Sequence, residues 1–486
     1  MSNKTYTRRN FLKVLGLAGA TAATPAIVSC AGGDKPATAA TGTDQEPPIG
    51  KMTYRTNPKT GDRVSLLGYG MMRLPTLDAG GGSAREEHDA EIDQEMVNRQ
   101  VDYAIEHGVN YFDTSPAYCR GRSEHATGIA LARHKREEFF IATKLSNFSP
   151  DTWSHEAGVE MFRNSLRELQ VDYVDYLLLH AIGGGDDAMD EFNQRYIDNG
   201  ILDYLIQQRD AGIIKNLGFS YHGDVAIFDH ALKMHDSGKV KWDFVQIELN
   251  YLDWRFADEV NDSNTDAEYL YGELVRRDIP AVVMEPLLGG RLASLPEPLA
   301  AKLLARDPGH SVASWAFRYA GSFPNVLTVL SGMTYMEHLK ENLNTYSPLL
   351  SLTDEEMKFL EGVAAEYVSY NIIPCTACQY CMPCPYGIDI PAVFGHYNKC
   401  LSEGCVPRSK EQADYQRARR AFLVGYDRSV PRLRQADHCI GCGHCEPHCP
   451  QRIRIPREME RISRYVDALK AGNAEGLVDP HLRTED

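Results

Sequence analysis

Eight short apolar runs recur in order through the middle of the chain and leave few folds open. They are Ser65–Leu74, Asn110–Ser115, Phe139–Leu145, Val174–Ala181, Ile213–Tyr221, Asp243–Asn250, Pro280–Leu287 and Asn325–Met333. Each is largely apolar along its length, as a strand buried on both faces must be. Stretches with helical periodicity lie between them, among them Gln94–Gly108 and Phe162–Leu169. Parallel strands need crossover connections, usually helices. Eight such units in sequence predict an α/β fold, a (β/α)8 TIM barrel over residues 51–350. An open doubly wound sheet is the alternative. No GxGxxG follows the first run, which argues against it.

Such a barrel carries its chemistry at the C-terminal strand ends. Asp113 lies near the end of the second run, Lys144 near the end of the third and His180 near the end of the fourth. Tyr118 lies in the loop after Asp113. One buried polar residue is usually structural, but four at three neighbouring strand ends point to a site. A tyrosine titrating near ~10 is a poor acid at neutral pH. A lysine cation lowers that value, a carboxylate holds the lysine, and a histidine positions a carbonyl. The set suits proton transfer at an oxygen while hydride moves at the adjoining carbon.

The stretches "FDTSPAYCRGRSEHATGIAL", "IATKL", "YLLLH", "NLGFS", "VQIELNY" and "EPLLGGRL" follow one another in this order. In them the chain resembles the aldo-keto reductase family. The resemblance implies the same barrel, NAD(H) or NADP(H), and a small carbonyl or alcohol substrate. It implies Tyr118 as general acid, with Asp113 and Lys144 tuning it and His180 orienting the carbonyl. It also implies Ser220 and Gln246 at the nicotinamide carboxamide. Pro286, Leu287, Ser331, Gly332, Glu341 and Asn342 would line the rest of the nucleotide. Two departures stand out. Tyr221 replaces an Asn common in the family, and Gly332, Met333 and His338 stand where a 2′-phosphate is usually held. A 2′-phosphate prefers Arg or Lys partners, so NADH is expected to bind at least as well as NADPH. Cys119, beside Tyr118, reads as a small filler.

The tail brings different chemistry. Eight of the 12 cysteines fall in two motifs, Cys375, Cys378, Cys381, Cys384-Pro385 and Cys439, Cys442, Cys445, Cys449-Pro450. The second has the C-x2-C-x2-C-x3-C-P spacing of bacterial ferredoxins; the first is one residue shorter before its last cysteine. Zinc sites use pairs of CxxC rather than triples ending in Cys-Pro, and a disulfide fits such short spacings badly. Two [4Fe-4S] clusters are expected. Where two clusters share such motifs, the cysteine before proline ligates the other cluster. Cys375, Cys378, Cys381 and Cys449 are then one set, and Cys439, Cys442, Cys445 and Cys384 the other. The 54 residues between Cys384 and Cys439 include a helical stretch carrying Arg417, Arg419 and Arg420, with Arg452, Arg454 and Arg457 further on. These cations either offset cluster charge or form a solvated face. Residues 373–486 read as a small, mainly α-helical ferredoxin-like domain, joined to the barrel by a helix at 351–372. Cys400 and Cys405 fit no motif and read as buried thiols.

Arg8 and Arg9 precede a short run of small and apolar residues, the pattern of a twin-arginine export signal over 1–30. A disordered tail is the alternative. "IVSC", ending at Cys30, resembles a lipobox, so Cys30 is a candidate for lipidation, with ordinary cleavage nearby as the other outcome. Residues 31–50 are small and polar, as in a flexible tether. The expected location is the periplasm, free or lipid-anchored. The net charge of −16 argues against a nucleic-acid partner. The combined expectation is a carbonyl or alcohol oxidoreductase whose clusters exchange electrons with a partner protein. The alternatives are an electron-transfer protein with an inert barrel, or an enzyme whose clusters only brace it.

Overall fold

The computed structural model describes residues 46–77, 90–184, 187–260, 264–368, 372–407, 409–449, 451 and 453–472. The export signal, Cys30 and most of the expected tether lie outside them. A hairpin comes first, β1 (Tyr54–Thr56) with β2 (Arg63–Ser65). Eight parallel strands follow: β3 (Leu67–Gly70), β4 (Tyr111–Asp113), β5 (Phe140–Leu145), β6 (Val174–Ile182), β7 (Ile214–Tyr221), β8 (Phe244–Glu248), β9 (Ala281–Met284) and β10 (Val326–Ser331). They close into a barrel, β10 pairing with both β9 and β3. The expected fold is therefore present. All eight runs became strands, most of them trimmed where the chain turns out of the sheet, and the fourth longer by Ile182.

Period-two alternation sorts each strand into two sets. Tyr111, Ala142, Tyr176, Leu178, Phe244 and Val282 belong to one apolar cluster inside the barrel. Phe112, Ile141, Leu177, Val245 and Val283 belong to another, beneath the surrounding helices. The interior is filled rather than hollow: Tyr176 packs on Tyr111 and Phe244, with ring centroids 5.0 Å apart in each pair. The hairpin closes the N-terminal end. Its Val64 joins the interior cluster, and the Asn57 amide faces Tyr176 and Asn216 at 3.4 Å.

The outer helices include α1 (Gln94–Glu106), α2 (Ser123–Leu131), α3 (His155–Leu169), α4 (Ile201–Asp210), α5 (Val225–Asp236), α6 (Ala267–Val275), α7 (Glu297–Arg306), α8 (Val312–Gly321) and α9 (Met336–Tyr346). Helix α10 (Asp354–Tyr367) starts at a capping box between Thr353 and Glu356 and lays Leu360, Val363, Ala364 and Tyr367 on the barrel core. A second core then begins at Ile373. It is built from α11 (Ile390–Ser402), α12 (Tyr415–Ser429) and α13 (Ile455–Ala471), with the cysteine loops at its edge.

Candidate active site and cysteine loops

The alternation that fills the barrel's lower interior also sets what faces its mouth. Two residues on from Tyr111 comes Asp113; two on from Ala142 comes Lys144; two on from Leu178 comes His180. The interior face thus changes from apolar to ionisable at the C-terminal ends of β4, β5 and β6. Lys144 donates to Asp113 Oδ1 at 2.5 Å and to the Thr114 carbonyl at 2.9 Å, with both Lys144 and Asp113 buried. Burial pulls the lysine down and the carboxyl up, and each group's charge opposes the shift of the other. Tyr380, from the first cysteine loop, also favours the charged lysine.

Tyr118 is buried just above this pair. Lys144 Nζ lies 4.7 Å from its ring centroid, and the His180 ring meets it edge-on at 5.8 Å. The turn that delivers Tyr118 is tight, with Cys119 and Arg120 both at positive φ. The Cys119 thiol is buried in the outer core and faces the Met72 carbonyl at 3.5 Å, as a small filler would. His180 is pushed well below the usual imidazole range, first by burial and then by the neighbouring cation of Lys144. Both effects favour the neutral ring.

Sequence reasoning missed the groups that orient His180. Ser146 Oγ lies 2.6 Å from its Nδ1, and Ser115 Oγ lies 2.8 Å from Ser146 Oγ. Buried Arg195 donates to the His180 carbonyl at 2.7 Å. Both serines adjoin strand ends already singled out, in "FDTSPAY" and "ATKLSN". That adjacency was the available signal. Arg195 comes from a helical segment far along the chain and gave none.

Ser220 and Gln246 face each other across β7 and β8. The Ser220 hydroxyl accepts from the Ala181 amide at 2.8 Å, which leaves its own proton to donate. Gln246 Nε2 faces Met284 Sδ at 3.2 Å, and its Oε1 is buried without a hydrogen-bond partner among the described residues. An unpartnered carbonyl beside a hydroxyl that can still donate fits an amide such as a nicotinamide carboxamide. Tyr221, by contrast, faces the helices: it packs on Phe228 and its hydroxyl reaches the Gly223 carbonyl and Thr265.

The six other residues expected at a nucleotide lie in the loop after β9, at the end of β10 and just beyond it, and in α9. Pro286 is buried and Leu287 half-buried; Gly332 is exposed. Asn342 donates to Ser331 Oγ at 2.9 Å, and Glu341 accepts from Ser311. Between the two loops runs a segment of the tail. An added Cβ on Gly289 would fall 2.6 Å from Thr376 Cβ, and Arg73 donates to the Thr376 carbonyl at 3.0 Å.

The cysteine loops come together in crossed fashion. Cys384 lines one cavity with Cys439, Cys442 and Cys445, floored by Ile390 and Met459. On the other side, burial, with Cys378 and Cys449 adding to it, raises the Cys375 thiol to about 12. Burial also pushes Cys381 up, with Cys378, Cys375 and Cys449 among the neighbours adding to it. No disulfide joins any of the 11 described cysteines. No group of three or more His, Cys, Asp or Glu among the described residues is drawn together as for a single metal ion. Of the arginines expected near the thiols, Arg417 pairs with Asp414 and Arg419 holds the last carbonyls of α13. Arg452 lies outside the described residues. The cation that Cys375 feels is Arg291, from the barrel. Cys400 and Cys405 are buried in the second core.

A model of the Aldo/keto reductase family matches residues 67–365. The chain belongs to that family. Its relatives include an uncharacterized oxidoreductase, YqkF, of Bacillus subtilis, 26% identical over 54% of this chain and 85% of the relative. L-galactose dehydrogenase of Arabidopsis thaliana is 26% identical over 62% of this chain and 90% of its own. Among solved structures, the holo aldo-keto reductase AKR11C1 of Bacillus halodurans aligns at 24% identity and a TM-score of 0.49, over 64% of this chain and 96% of that one. The chain is thus an aldo-keto reductase oxidoreductase in its barrel, and the family match ends at residue 365, before the cysteine loops.

Proposed function

We propose that this aldo-keto reductase is an exported enzyme that interconverts a carbonyl and an alcohol at Tyr118 and exchanges electrons with a partner protein through two [4Fe-4S] clusters. The observation that carries the catalytic half is the buried Lys144–Asp113 ion pair under the Tyr118 ring. A cation on that face stabilises the phenolate left when Tyr118 gives its proton to a substrate oxygen. Asp113 holds the lysine at the ring. With Ser146 donating to Nδ1, His180 keeps its proton on Nε2 and can donate to the same oxygen. Ser220 and Gln246 would hold a nicotinamide carboxamide, and a bound nicotinamide supplies or takes the hydride.

The cluster half rests on the donor sets. Four thiols line one cavity and four more crowd at the other side, where burial and neighbouring thiols push Cys375 and Cys381 up, and crowded thiols ionise together only around a strong positive charge. A cubane binds one thiolate per iron and so keeps its ligands apart, unlike a single zinc ion. The clusters, when bound, pass single electrons. The domain limits follow: an export signal at 1–30 with Cys30 as a lipid site, a tether at 31–50, the barrel at 51–350, a joining helix at 351–372, and the cluster domain beyond. Periplasmic location belongs to the same proposal.

The test is anaerobic purification of the full chain, followed by a screen of aldehydes and ketones with NADH and NADPH. Tyr118→Phe is expected to lower kcat by about 100-fold or more while nucleotide still binds. A variant as active as the parent would remove Tyr118 from the mechanism.

A further inference from the structure

Strands β5, β6, β7 and β8 stand side by side in the barrel, and His180 on β6 has a different kind of neighbour on each flank. On the β5 side is Phe148, just past the strand end. Its ring centroid lies 4.8 Å from that of His180, and the Arg195 guanidinium lies 5.4 Å from the same ring. Phe148 is nonetheless 41% exposed. A single exposed apolar side chain is ordinary, but this one is fixed against the histidine that orients the carbonyl.

On the β7 side are His222 and Glu248. Alternation carries the interior face of β8 from Phe244 through Gln246 to Glu248. His222 follows Ser220 by two residues, and its amide donates to the Ile182 carbonyl at 2.9 Å, which pins it beside the end of β6. After burial and Lys144, His222 is the next group that opposes a charge on His180. Glu248 Oε2 accepts from Asn264 at 3.1 Å. Its Oε1 lies 3.0 Å from His222 Nδ1 but out of line with the ring N–H, and makes no hydrogen bond among the described residues. Glu248 is only 9% exposed. A buried carboxylate oxygen in that state calls for a donor.

We propose that Phe148 and the Glu248–His222 pair set specificity for a cyclic carbonyl compound with a hydroxyl on the neighbouring carbon. The carbonyl oxygen lies at Tyr118 and His180. The C–H face of the ring packs on Phe148, and the neighbouring hydroxyl donates to Glu248 Oε1. A hydroxyl bond to a carboxylate is charge-assisted and stronger than one between neutral groups. Reduction adds hydride from the nicotinamide to the carbonyl carbon and the Tyr118 proton to its oxygen; the neighbouring hydroxyl is unchanged. A plain ring ketone leaves Glu248 Oε1 without a donor, and a small open-chain ketone also leaves Phe148 uncovered. This inference rests on reading Tyr118 as the proton donor of a carbonyl–alcohol reaction.

Three ketones separate the two contacts: butanone, cyclohexanone and 2-hydroxycyclohexanone. With the anaerobic full chain and NADH or NADPH, kcat/KM should rise in that order by about tenfold or more at each step. Glu248→Leu removes the acceptor and should bring the preference for 2-hydroxycyclohexanone over cyclohexanone close to one, while Glu248→Gln, which keeps an acceptor oxygen, should retain part of it. Phe148→Ala should cost cyclohexanone about tenfold more than it costs butanone and leave the hydroxyl preference in place. A merely structural role for either residue would lower all three ketones alike. That equal loss, or a parent with no preference for the hydroxyl, overturns the specificity assignment and leaves the Tyr118 reading standing. Turnover of none of the three ketones by the parent with either nucleotide overturns both.

Discussion

Glu124 lies at the start of α2 with 1% exposure, and its carboxylate accepts from Thr143 Oγ1 at 2.5 Å. Burial raises it to about 7, against 4.5 when exposed. A carboxyl raised on folding binds more protons in the native state than in the unfolded one. Its stabilising effect is therefore complete below about 4.5 and is lost as pH rises through about 7. Glu124→Gln keeps an acceptor oxygen for Thr143 and cannot ionise. The variant should be more stable than the parent at pH 8, on the order of 2 kcal/mol, and no more stable at pH 4. Urea midpoints at both values measure this, and a constant difference between them would contradict it. At this scale the sequence was legible where chemistry and periodicity coincided. Asp113, Lys144 and His180 could be named because each sits near the end of an apolar run. Ser115 and Ser146 escaped because a hydroxyl shows its role only through its partner. The hydrogen bond to His180 is set by how β4, β5 and β6 stagger, and a single run does not contain that.

Among the elements, the barrel strands announced themselves and the closing hairpin did not. β1 and β2 are three residues each, β1 partly exposed and β2 buried at Val64 and Ser65, and both are too short for a periodic signal. Only the turn residues Asn57 to Asp62 hinted at it, and Gly61 adopts φ +78 there. The helix layer has a tighter requirement that no apolar pattern shows. An added Cβ on Gly128, in α2, would fall 2.3 Å from the Glu168 carbonyl in α3. Backbone on both sides leaves little room to yield. Gly128→Ala should destabilise by about 2 kcal/mol through overpacking, although alanine alone favours a helix by roughly 1 kcal/mol. A denaturant midpoint at or above the parent's would show that α2 and α3 part easily and that the close approach is incidental.

At the scale of the whole molecule, the two motifs that are 54 residues apart in sequence form crossed sets in space. The second core makes this possible: α11 and α12 fill the interval and return the chain so that Cys439 faces Cys384. Spacing alone indicated the crossing. It did not indicate that the first loop would lie against the barrel, because that depends on Arg73, Gly289 and Arg291, which belong to the other half of the chain. The crossing makes a prediction that pairing within each motif does not. Cys449→Ser should give the reduced-state EPR spectrum and iron content of Cys375→Ser, because both strip the first set. Cys384→Ser should instead match Cys439→Ser. If ligation stayed within each motif, Cys449→Ser would match Cys439→Ser.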